Sequence, residues 1–248
     1  CFENNIHVFV EKPITATIEQ GEELVKIAKE KNLKFQVGHI ERFNPGLLSL
    51  ESFISDPMFI QSDRLSQFNP RGTDVAVVLD LMIHDIDIIL SFIKSEVKQI
   101  DANGVAVVSD HIDIANARIQ FENGAVANVT ASRISQKKMR KMRIFQKDHY
   151  ISLDFVTGAS EVYRLQPVDQ PALPTSISFG EIGVGDKKKR LIYEQPETKE
   201  VNALNYELQL FVDAVISDKK IVVTGEDGLR ALKVAEIIIQ KIEQSKGA

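Results

Sequence analysis

A short parallel α/β unit followed by a larger α+β domain, with a large open and mainly antiparallel sheet flanked by helices, is the fold class that this sequence predicts. Three observations predict it. A strand, a helix and a second strand follow one another between residues 7 and 38. From residue 97 onward, runs of alternating polarity are joined by tight Asn-Gly or Gly turns, the signature of antiparallel hairpins. Two long stretches of helical period close the chain.

Each element has its own signal. His7 to Val10 is a short β-branched run, and Glu11-Lys12-Pro13 ends it because proline cannot continue a central ladder. Thr17 is an N-cap for a helix reaching to about Asn32, with Ile18, Leu24, Val25, Ile27 and Ala28 as its apolar face. Phe35 to Gly38 reads as the next strand and completes a βαβ unit, so residues 1–36 form the tail of a parallel-sheet domain and 37–248 a second domain. The opening "CFENNIHVFVEKP" reads as a helix end running into a buried strand, and the expectation is a fragment whose N-terminal part is missing. Residues 58–66 are strand-like and 74–93 are long enough for a helix. The runs "VKQIDANGVAVV", "DIANARIQF", "AVANVTASRIS", "KMRIFQKD", "YISLDF" and "EVYRL" follow as strands, with turns at 122–124 and 157–158. Helices are predicted at 203–216 and 225–244, and 194–202 is the most loop-like stretch.

Composition narrows the class. The chain has 248 residues, 44% of them hydrophobic, enough for a substantial core. A formal charge of −5 argues against nucleic acid as the main partner. The single cysteine, Cys1, excludes an internal disulfide framework and a cysteine-built zinc site, which fits a cytoplasmic location. No run reaches the ~18 apolar residues of a membrane span, and the sequon at Asn128 has no secretory context.

The segment "VVLDLMIHDIDIIL" (77–90) is the most informative. At helical spacing Asp80, His84, Asp87 and Ser91 fall within a narrow arc, with Asp85 off it, and aliphatic residues fill the rest. A solvated face is the bland reading. Against it, no Lys, Arg or Glu occurs anywhere from Thr73 to Ile93, so a stripe lining a cleft is preferred. Asp80 and His84, four residues apart, can touch, which would make a general base with an orienting carboxylate. Lys12 lies at the C-terminal end of a parallel strand, where open α/β sheets place ligands. His39, Arg42 and Asn44 follow the next strand at the same edge. The cation-rich run 137–143 is either a strand edge protected by charge or a surface for an anionic substrate through Arg133 or Arg140. "GEIGVGDKKKR" fails the phosphate-loop pattern and reads as a lysine-tipped hairpin. His84-Asp85 with downstream Asp110, His111 and Asp113 has divalent-ion ligand types, but a helical metal-dependent phosphohydrolase does not fit a strand-rich second half.

"VFVEKPIT" (8–15), "VGHIERFNP" (37–45), "DLMIHDID" (80–87), "YELQLFVDAV" and "TGEDGLRALKVAEIII" together make the chain resemble the glucose-fructose oxidoreductase / inositol dehydrogenase / rhizopine catabolism (Gfo/Idh/MocA) family of NAD(P)-dependent dehydrogenases, from about Phe2 to Gln244. Its branch of UDP-N-acetylglucosamine 3-dehydrogenase type is the nearest in these motifs. The resemblance implies the remnant of a Rossmann-type sheet followed by a substrate-binding and oligomerisation domain. It implies that Lys12 hydrogen-bonds the reacting hydroxyl, that His84 takes its proton and that Asp80 supports them. Glu11, Lys12, Pro13 and His39 would then meet NAD or NADP, Arg42, Asn44, Asp87 and Arg133 the sugar or sugar-nucleotide substrate, and no metal is needed. No G-x-G-x-x-G follows a strand in these 248 residues, so the dinucleotide loop is absent and the chain alone should bind cofactor poorly. An open sheet with one uncovered face implies a homo-oligomer. A family member without catalysis, acting in assembly or ligand sensing, is the rival reading.

Overall fold

The computed structural model describes residues 1–70, 72–171 and 177–246, and these form two sheets. In the smaller, β1 (Val8–Glu11) and β2 (Phe35–Gly38) run parallel, joined by α1 (Ile18–Glu30). Thr17 caps α1 as its sequence predicts. Its hydroxyl accepts from the Gln20 backbone N–H while the Gln20 side chain accepts from the Thr17 N–H, so two end donors are satisfied reciprocally. A domain division at residue 36 cuts through β2, and the sequence-based boundary therefore falls inside a strand.

One face of this small sheet is completed from far along the chain. Phe35 and Val37 pack with Ile14, Ala28, Val223, Leu229 and Leu232, the last two from α5 (Gly225–Lys246). Gly228 permits the approach, since a Cβ there would lie 2.5 Å from Val37 Cγ2. The opposite face is covered by α4 (Ala203–Ile216), whose Phe211 ring meets Phe9 edge-on at 5.7 Å.

The larger sheet comprises β3 (Pro57–Leu65), β4 (Val97–Val105), β5 (Ile114–Phe121), β6 (Val126–Ser132), β7 (Met139–Gln146), β8 (His149–Asp154), β9 (Ala159–Pro167), β10 (Ile177–Ile182) and β11 (Lys189–Glu194). Its order is β10-β11-β9-β8-β7-β3-β6-β5-β4. All neighbours are antiparallel except β3 and β6. The lysine-tipped hairpin is the β10–β11 pair at one edge.

Strand alternation divides this sheet into two chemically different faces. Inward lie Ala115, Ala117 and Ile119 of β5, Ala127, Val129 and Ala131 of β6, and Met142 and Ile144 of β7, all fully buried. Their small side chains let α5 and α3 (Ile83–Phe92) pack closely onto the strands. Outward, Phe59, Phe145, Tyr150, Tyr163, Tyr193 and Phe179 form a row of touching rings, with successive centroids 4.9 to 5.8 Å apart.

The helix expected from residue 74 starts later. A π-helical turn at Val78–Met82 leads into α3. The reason lies at Arg133, which donates to the carbonyls of Gly72 (2.5 Å) and Val75 (2.6 Å) and so holds that backbone in turns against the sheet. Held carbonyls are not available to start a helix.

Candidate active site

Lys12 follows the last residue of β1 and crosses to the π-helical turn. Its ammonium donates to the Asp80 carbonyl at 2.5 Å and stands 3.8 Å from Asp80 Oδ1. Burial lowers the Lys12 pKa, with the Asp80 and Glu11 charges opposing and Arg64 assisting that shift. An over-wide turn such as this presents backbone groups that a regular helix would hide, a reason π-turns recur at functional sites.

His84 sits one turn further on. Its Nδ1 is buried with no hydrogen-bond partner. Burial pushes its pKa well below the usual imidazole value, and the cations Arg64, Lys12 and Arg140 and the ring of His39 push the same way. The imidazole is therefore neutral, and its surroundings are positive. The expected Asp80–His84 contact is not made. Asp80 faces Lys12 instead, and the backbone of Gly72 closes its other side, where a Cβ would lie 3.3 Å from Oδ2. Asp80 thus supports the lysine directly, and the i, i+4 spacing misassigned its partner.

Below these groups lies a network that the sequence reading missed. Arg64, on the inward face of β3, donates to Asp85 (2.8 and 3.0 Å) and to Glu41 (2.8 Å), which also accepts from Arg140 at 3.1 Å. Arg64, Asp85 and Glu41 are all buried. The available signal was positional: Ile60, Ser62 and Arg64 alternate along one strand, so an arginine at that step points into the core and requires buried carboxylates.

The other predicted residues divide. Arg42 grips Asp87 with two bonds of 2.6 Å, and His39 Nδ1 stands 3.8 Å from the same carboxylate. Asp87 and Arg133 are buried, and their polar groups are engaged with protein: Asp87 with Arg42, Arg133 with two carbonyls and, at 3.8 Å, with Asp113. Both oxygens of Asp87 are thereby occupied, whereas Arg133 Nε is buried without a hydrogen-bond partner. Asn44 caps α2 (Pro45–Leu48) through Gly46 N–H and donates to the Phe155 carbonyl, yet it also lines a cavity of about 570 Å³. That cavity lies between Asn44 and Pro45, the Phe155–Gly158 turn and the strand-free segment 198–202. Arg64 lies over the Phe155 ring, 5.7 Å from its centroid, which joins the cavity wall to the charged network. Asp85, half of the metal-doublet reading, is fully taken by Arg64. No group of three or more His, Cys, Asp or Glu among the described residues could hold a metal ion.

Residues 1–39 match the oxidoreductase family with an NAD-binding Rossmann fold, and residues 48–151 match the GFO/IDH/MocA C-terminal domain. UDP-N-acetylglucosamine 3-dehydrogenase of Acidithiobacillus ferrooxidans is 33% identical over 231 residues, which cover 93% of this chain and 69% of that protein. The chain belongs to the GFO/IDH/MocA oxidoreductase family. A solved structure of the same Acidithiobacillus ferrooxidans enzyme superposes with a TM-score of 0.85 at 30% identity, covering 98% of this chain and 73% of that one. A second relative within the family, scyllo-inositol 2-dehydrogenase (NAD(+)) of Bacillus subtilis, is 27% identical over 148 residues, 54% of this chain and 43% of its own. Of the two GFO/IDH/MocA matches, the first contains Lys12 and His39 and the second contains Asp80 and His84. The contact between Lys12 and the π-helical turn is therefore the seam where the two family regions meet.

Proposed function

We propose that this chain carries the proton-transfer half of an NAD(P)-dependent dehydrogenase acting on a secondary hydroxyl of a sugar nucleotide, with the 3-hydroxyl of a UDP-N-acetyl sugar as the position oxidised. The observation that carries the reading is the pairing of a buried, neutral His84 with the ammonium of Lys12 in one positively charged setting. The residues present fit the ring side of a nicotinamide: Lys12 directly follows β1, and His39, which directly follows β2, has both ring nitrogens unpartnered. Glu11, Lys12, Pro13 and His39 would border that ring. When bound, the nicotinamide supplies the hydride acceptor.

Lys12 orients the hydroxyl oxygen by donating to it, and Asp80 holds the ammonium in place. His84, neutral at working pH, accepts the hydroxyl proton. The cations that keep His84 neutral also favour the negative charge that develops on the substrate oxygen. The sugar-nucleotide assignment is supported by the relative of highest identity given above and by the cavity of about 570 Å³ whose wall residue Phe155 lies under Arg64, and which offers Asn44, Thr157, Thr198 and Lys199 as polar lining. Arg140, a third exposed, accepts through its backbone carbonyl from the N–H of the cavity residue Phe155, and its guanidinium would serve a phosphate. These 248 residues hold no glycine-rich dinucleotide loop, so the complete protein is the form to assay.

In that protein, Lys12→Met and His84→Asn should each lower kcat with UDP-N-acetylglucosamine by about 10²–10⁴-fold. Near-normal rates in both variants would overturn the assignment of roles. A full-length protein that binds nucleotide and oxidises nothing in a broad sugar screen would favour the non-catalytic rival. The outward aromatic row supports self-association through the open sheet.

A further inference from the structure

Beneath α4, on the face of the small sheet that carries Phe9, Glu11, Gln36 and Gly38, lies a set of buried polar groups, of which Glu207 and Gln36 have no part in the steps above. Glu207 is fully buried and both its carboxyl oxygens lack hydrogen-bond partners; the same is true of both amide atoms of Gln36 and both ring nitrogens of His39. Their placement follows from register. Phe211 of α4 contacts Phe9, so Glu207, one helical turn earlier, lies further along β1 towards Glu11. Glu11 itself rests on Gly38, where a Cβ would come within 2.9 Å of its carboxylate.

Leaving so many buried polar atoms unpaired is costly, and internal water is the usual remedy where several such groups share a space. Two carboxyl groups at close quarters do not both ionise readily. Burial, together with the negative charges of Glu11 and Asp87, raises the Glu207 pKa to about 8. The charged groups facing this space are Glu11 from β1, Asp87 from α3, His39 and Arg42 from the turn after β2, and Asp227 from α5.

We propose that Glu207 is a positioning residue of the site, a neutral carboxylic acid that donates through internal water to the Glu11–Lys12 turn and fixes the lysine's approach to Asp80. An ionised Glu207 would instead add a third negative charge beside Glu11 and Asp87 and displace that turn. The activity arm of its test rests on the dehydrogenase reading; the spectroscopic arm does not.

Infrared difference spectra of this chain between about pH 6 and pH 10 should contain a protonated-carboxyl C=O band that titrates near pH 8, the position its pKa sets, and Glu207→Gln should remove it. Absence of any carboxyl titrating in that range in the unaltered chain overturns the proposal whether or not the variant folds, as does persistence of the band in Glu207→Gln. In the full-length enzyme, Glu207→Ala should lower kcat about tenfold with KM little changed. Glu207→Gln should restore most of that loss and abolish a fall in kcat above about pH 8. Equal pH profiles for Glu207→Gln and the unaltered enzyme overturn the positioning role. A full-length protein that shows the band and turns over no sugar separates the two ideas, since the buried acid then stands and the dehydrogenase reading fails.

Discussion

Arg64 shows what a single buried charge requires. It is 2% exposed and pairs with both Asp85 and Glu41, so its loss leaves Asp85 in the core without that partner and Glu41 with Arg140 alone. Arg64→Met should destabilise the chain by about 3–5 kcal/mol in urea titrations, and adding Asp85→Asn and Glu41→Gln should recover part of that loss. His84 carries the pH counterpart. Its folded pKa lies well below 6.5, while the unfolded chain takes up the proton near the ordinary value. The unfolded state then binds more protons as pH falls, so stability is lost downward from about pH 6.5. His84→Gln should flatten that slope relative to the unaltered chain in denaturation measured from about pH 7 to 5; equal slopes would mean that the ring is not held neutral. The His84 polarity stripe was legible in the sequence, but Asp80's partner was not, because an i, i+4 spacing says which side chains can meet and Lys12 comes from another element.

At the scale of elements, the closing helix does two tasks. α5 packs on the alanine-rich face of the large sheet and also completes the core of the small one through Leu229 and Leu232. Gly228→Ala places a methyl 2.5 Å from Val37 Cγ2 and should lower stability by about 1–3 kcal/mol, read as a lower thermal midpoint. An unchanged midpoint would mean that the contact relaxes freely. The βαβ unit, the strands from β4 to β9 and the two closing helices were all legible, because each is carried by local period and turn residues. The start of α3 was not. The sequence reading began it near residue 74, and Arg133, reaching from beyond the end of β6, holds the carbonyls of Gly72 and Val75 in turns instead.

For the whole molecule, the outward ring row decides the main expectation. Phe145 and Phe179 are 39% and 59% exposed on a sheet face that no helix among the described residues covers. Phe145→Glu with Phe179→Glu should convert an oligomer to a monomer in sedimentation velocity while the far-ultraviolet spectrum is retained. A monomeric unaltered chain at micromolar concentration would refute self-association through this face.

What the sequence by itself determined is what chemistry along the chain can record: the order of strands and helices, the alternation that gives the large sheet one apolar and one aromatic-polar face, and the residue types Lys12, Asp80 and His84. The tertiary structure decided which of these groups face one another. It turned Asp80 to Lys12, closed Asp87 and Arg133 into bonds with protein, and buried Arg64 between two carboxylates. The reason is physical. Local pattern fixes the face on which a side chain lies, whereas its partner and its proton affinity depend on charges and burial brought from other elements by the fold.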